Sequence, residues 1–145
     1  MIKRFDQFLN EAFNVETPNG DDFGNFALKL LAARDQAHVF HWQTESFAQH
    51  EAFGKFYDEF LENVDELVEV MMGIKERPNF GDASITLKNY SEGAIAEFFE
   101  ALYEVINGEI KLVIDPMHEE VYDLARVITA QIDKLKYLLS LSWKY

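Results

Sequence analysis

The chain has 145 residues with no cysteine, 48% hydrophobic and 14% aromatic content, and a formal net charge of −13 from 26 acidic against 13 basic side chains. That length and apolar content suit one domain, residues 1–145, with a sizeable core, and the lack of thiols excludes disulfides and Cys-ligated zinc. So acidic a surface repels phosphate backbones and has no clustered Lys/Arg with which to release counterions, so cations rather than nucleic acids are its expected partners.

No apolar run approaches the roughly 20 residues of a membrane span, so no membrane is expected as a partner. The start, Met1-Ile2-Lys3-Arg4-Phe5-Asp6, lacks the apolar core of a signal peptide. A cytoplasmic location is expected, either in the cell of origin or, for a phage-encoded chain, in the host cytoplasm or the virion.

In chain order, Phe5, Phe8, Leu9 and Phe13 stand at helical spacing and predict a short amphipathic helix over 2–13. Residues 14–22, "NVETPNGDD", read as a loop with turn chemistry at Pro18 and Asn19-Gly20. A helix from about 23 to 44 follows, with Phe23, Ala27, Leu30, Leu31, Ala37, His38 and His41 on one stripe. After a break around 44–49, a second helix runs from about 50 to 72 and closes at Gly73. Residues 74–89 form a long connection containing Pro78 and Gly81. A third helix spans roughly 91–113, with Ser91 as its N-cap and Gly108 as a weak point. Asp115-Pro116 opens the last helix, which carries Val121, Leu124, Ile128, Ile132, Leu135 and Leu139 to about 142. The expected fold class is all-α. It is a four-helix bundle over 23–143 with a long middle crossover, the ferritin-like arrangement, preceded by a short helix and loop over 1–22.

The second helix is acidic along one face. At about 100° per residue, Glu62, Asp65 and Glu69 fall within about 40° of Asp58, nearly opposite Phe53, Phe56, Phe60, Val64, Leu67 and Met71. His50 precedes Asp65 by fifteen residues, which is about 22 Å along a continuous helix. A metal ligand must lie about 2 Å from its ion, so these two residues of one chain cannot share one. His41 ends one helix and His50 begins its antiparallel neighbour, so those two can meet across the turn. Any site that uses both histidines together with Asp65 and Glu69 needs a second chain.

The segments "LAARDQAHVFHWQ", "SFAQHEAFGKFYDEFLENVDELVE" and "MMGIKERP" together resemble the Dps-like mini-ferritins of the ferritin-like superfamily. The resemblance rests on His38, His41-Trp42, His50-Glu51, Tyr57-Asp58-Glu59, Asp65, Glu69, Gly73 and Pro78, and extends over about residues 23–143. It implies a ferroxidase site between two subunits, with His41 and His50 supplied by one and Asp65 and Glu69 by the other. It also implies a homo-oligomer that binds, oxidises and stores iron. Mixed imidazole and carboxylate donors suit Fe(II), with zinc, manganese or cobalt as substitutes.

His38 reads first as a core histidine, Asp58 and Glu62 as solvated surface or support for the ligands, and Trp42 as core packing. The first three are the weaker candidates for metal binding. A reading from another class is a ferritin-like structural or interaction protein without ferroxidase chemistry. The segment between His41 and His50 is about three residues shorter than the mini-ferritin pattern, and the start "MIKRFDQFLNEA" is weakly similar to the starts of structural proteins in large tailed phages.

Overall fold

The helical periods of the sequence become four helical segments, three of them capped by a side chain at the N-terminus. The computed structural model describes residues 13–141. Helix α1 spans Asp22–Gln43 and α2 spans Phe47–Met72. A third helical run, α3, consists of Glu92–Glu104, a π-helical turn at Val105–Glu109 and a last turn at Ile110–Val113. Helix α4 spans Glu119–Leu141. Among the described residues no helix is long and apolar enough to cross a membrane.

Ser46 and Ser91 cap α2 and α3, their hydroxyls accepting from Gln49 N at 3.2 Å and Ala94 N at 2.9 Å. Because Ser46 is the cap, α2 begins three residues before His50, and the break expected at 44–49 shrinks to Thr44–Ser46. Asp21 caps α1 by accepting from Gly24 N at 2.7 Å, and the same oxygen accepts from Asn79 N at 3.2 Å. A Cβ on Gly24 would lie 2.0 Å from Asn79 O, so only glycine lets the crossover pass so close to the start of α1. The last helix starts at Glu119 rather than at Pro116. Asp115 accepts from Met117 N at 2.8 Å and holds residues 115–118 in a turn first.

All four segments contribute to one apolar core. Phe53, Phe56, Phe60, Val64, Leu67 and Met71 form the buried stripe of α2, as their spacing predicts. Helix α2 makes its most extensive contacts with α1 and α4. Rings of Phe40, Phe53 and Phe98 meet at the centre, with centroids 5.5 Å apart for Phe40–Phe53 and 5.8 Å for Phe40–Phe98. Each such ring taken from water contributes roughly 1.5–3 kcal/mol.

Two short strands depart from the all-helical expectation. Strand β1, Phe13–Glu16, pairs antiparallel with β2, Ser84–Leu87, with Phe13 opposite Leu87 and Glu16 opposite Ser84. Residues expected as the end of a leader helix and as loop are therefore strand, because Phe13 and Val15 alternate inward and bury in the core while Asn14 and Glu16 face water. The rest of the expected short helix, residues 2–12, lies outside the described residues. Glutamines anchor the far end of the crossover. Gln36, fully buried, donates to Lys88 O at 2.9 Å and accepts from Lys88 N at 2.7 Å. Gln43 accepts from Tyr90 N at 2.6 Å, and Gln49 accepts from the Tyr90 hydroxyl at 2.7 Å.

Candidate metal centre

His41 lies in the last turn of α1 and His50 in the first turn of α2. The connecting turn is tight because the Thr44 hydroxyl donates to Gln49 Oε1 at 2.7 Å and accepts from Ser46 N at 3.1 Å. This brings the imidazoles into a stack, with centroids 3.8 Å apart and planes inclined by 17°. His41 Nδ1 lies 2.6 Å from His50 O, and His50 Nδ1 lies 2.9 Å from His41 O. A carbonyl only accepts, so each Nδ1 carries a proton in these bonds, and a neutral ring then keeps a lone pair on Nε2. An Nδ1–H bonded to a main-chain carbonyl is a usual way of orienting a metal-binding imidazole. The His41 carbonyl is also one of the last four of α1, which have no partner within the helix, and the His50 ring satisfies it.

The neighbouring side chains hold this pair in place. The His41 ring lies against Gly54, where a Cβ would come 2.9 Å from Cε1 and 3.1 Å from Nδ1. His38 stacks on Tyr57 at 4.2 Å and touches Trp42 at 4.3 Å, and its ring is 5.9 Å from that of His41. Burial pushes the His38 pKa down, with the charge of Arg34 adding to the effect. The Arg34 guanidinium lies 5.6 Å over the Tyr57 ring. His38 is half-buried, not a core residue, and Leu31 and Trp42 depart from the sequence expectation in the same direction. The buried face of α1 runs through Phe26, Leu30, Ala33, Ala37 and Phe40, which turns Leu31, His38 and Trp42 to the opposite side. Trp42 is 70% exposed and Phe47, at the start of α2, is 75% exposed. The half-buried histidine pair thus sits between two uncovered aromatic side chains.

Asp58, Glu62, Asp65 and Glu69 are all exposed, and α2 turns them away from the core as the helical geometry requires. None of the four carboxylates makes a hydrogen bond or ion pair with another described residue. His50 and Asp65 share one unbroken helix, so about 22 Å of axial rise separates them. The fold therefore brings together His38, His41 and His50, and leaves Asp65 and Glu69 at a distance on the same chain. Among the described residues of one chain no three His, Asp or Glu side chains gather as a metal site.

Two features of the centre escape a reading by motif. One is Gly54, whose only signal is a glycine one helical turn after His50 in an otherwise strongly helix-forming stretch. The other is Gln49, buried beside the pair, whose amide oxygen joins Thr44 and Tyr90 and so fixes the turn. Gln49 carries no sequence signal at all.

Residues 41–139 match a family described as "Family of unknown function (DUF5856)". The chain belongs to that family. The part shared with DUF5856 opens at His41 and includes His50, Gly54, Asp65 and Glu69, while His38 precedes it. No curated protein and no solved structure matches the chain.

Proposed function

We propose that this DUF5856 protein has a ferritin-like, Dps-type four-helix bundle. It binds and oxidises Fe(II) at sites shared between two chains of a homo-oligomer, with iron as substrate and stored cargo. The observation that carries this reading is the reciprocal bonding of His41 and His50, which leaves Nε2 of each neutral ring able to bind a metal. The donors on the other side of the site are the exposed Asp65 and Glu69 of a second chain. Two neutral imidazoles and two carboxylates carry a charge of −2, which offsets a divalent ion and suits iron, zinc or manganese. Asp58 and Glu62, about two turns and one turn before that pair, extend the acidic face from which cations are drawn. Trp42 and Phe47 supply the apolar area expected where a second chain covers the histidines.

The test is anaerobic Fe(II) titration followed by addition of peroxide or dioxygen, with the mass of the assembly measured in parallel. Saturable Fe(II) binding, oxidation above the uncatalysed rate and an assembly larger than one chain are the expected results.

Trp42 and Phe47 also favour a second reading, a structural or interaction protein on the same helical scaffold. Two exposed aromatics fit a protein contact that needs no metal. An assembly that forms without Fe(II) binding or oxidation would select this reading over the first.

A further inference from the structure

Gly54 is half-buried in the second turn of α2, where helix propensity favours Ala over glycine. Its φ is not positive, so no unusual backbone conformation calls for it. What does call for it is space, because a Cβ would lie 2.9 Å from His41 Cε1 and 3.1 Å from His41 Nδ1. The second of these two crowded atoms, Nδ1, is the one that donates to His50 O at 2.6 Å, and the closer one, Cε1, is bonded to it in the ring. The stack at 3.8 Å leaves the His41 ring no room to retreat towards His50, and the Tyr57 ring, centred 5.5 Å away, stands edge to face beside it.

We propose that Gly54 is a positioning residue for the histidine pair: by omitting a Cβ it seats the His41 ring so that Nδ1–H meets His50 O and Nε2 stays free. The seat acts on both rings, because His50 Nδ1 reaches the His41 carbonyl only while α1 and α2 keep this approach. For its metal-binding consequence the inference rests on the proposed function. For the geometry it stands independently.

The experiment substitutes Gly54→Ala in the full chain and follows three readouts. Imidazole 15N spectra of the metal-free protein report which ring nitrogen is protonated. The wild type should show Nδ1–H with bare Nε2 for His41 and His50, and Gly54→Ala should lose that pattern at His41. Zn(II) alone, used as the probe, should bind the variant about 10–100-fold more weakly, the usual effect of losing an orienting partner. Thermal unfolding provides the third readout in two backgrounds. Gly54→Ala should lower the midpoint in the wild type but raise it beside His41→Ala, where the crowded ring is gone and only the helix preference of Ala remains. If the single variant does not fold, recovery of folding in the double variant reads the same clash. A raised midpoint in both backgrounds with unchanged His41 nitrogen signals would overturn the proposal. A lost tautomer pattern in a protein whose wild type binds no Zn(II) would uphold the role of Gly54 and remove the metal reading.

Discussion

His41 and His50 each donate a ring N–H to the main-chain carbonyl of the other, at 2.6 and 2.9 Å, across the turn that joins α1 to α2. The pair is both a helix-end lock and a set of two oriented imidazoles. Removing one histidine removes both roles together. His50→Ala should cost about 1–3 kcal/mol, because it strips the partner from the His41 carbonyl, and it should also abolish metal uptake. Urea unfolding and Fe(II) titration of the same preparation check both effects.

Asp65→Ala combined with Glu69→Ala should behave differently. Both side chains are exposed and point away from the core, so stability should stay within about 0.5 kcal/mol of wild type while metal uptake disappears. Mixing this variant with His41→Ala gives the sharper result. In a two-fold dimer each mixed pair keeps one intact site, so subunit exchange should restore part of the oxidation that neither variant shows alone. Verified exchange with no recovered activity would count against sites shared between chains.

Gln36 has no exposed surface, and both its amide atoms bond the main chain of Lys88. Gln36→Leu should cost about 1–3 kcal/mol, since it leaves the N–H and C=O of half-buried Lys88 without partners. The loss should be larger than for Gln43→Ala, whose amide lies at the surface. Amide exchange at Lys88 should rise with it.

Tyr103 donates to Asp133 at 2.5 Å, and burial followed by this hydrogen bond pushes its pKa up to about 12 from an ordinary value of 10.0. The folded state therefore holds the phenol proton more tightly than the unfolded chain does. The resulting stability is fully present below pH 10 and is lost as pH rises towards 12. Tyr103→Phe should be less stable than wild type by about 1 kcal/mol near neutral pH, and the gap should close across that alkaline window. Denaturant midpoints of both proteins between pH 8 and about 12 test it.

Asp21 works in the opposite direction. The hydrogen bond from Gly24 N is the main cause holding its carboxyl below the usual 3.8, with the bond from Asn79 N contributing. A depressed folded pKa gives stability above pH 3.8 that is lost as pH falls through the folded value. Asp21→Ala should cost about 1 kcal/mol at neutral pH, and the difference from wild type should shrink on acidification below pH 4.

The approximate helix spans, the Ser91 cap and the opposition of acidic and apolar faces on α2 were legible in the sequence, because each follows from spacing along one segment, whereas the Ser46 cap that starts α2 before His50 was not. The same is true of the distance that keeps His50 and Asp65 of one chain apart, since the rise of a continuous helix sets it whatever surrounds it. Tertiary structure alone decided the rest. The pairing of Phe13–Glu16 with Ser84–Leu87 joins segments far apart in sequence, so neither carries the signal of the other. The outward turn of His38 and Trp42 depends on which side of α1 meets the core. That helix is apolar or small over so much of its circumference that period alone does not choose. The protonated nitrogen of each histidine and the need for glycine at position 54 depend on contacts of a few ångströms between α1 and α2. Hydrogen bonds and steric exclusion act through space, and one-dimensional spacing does not encode them.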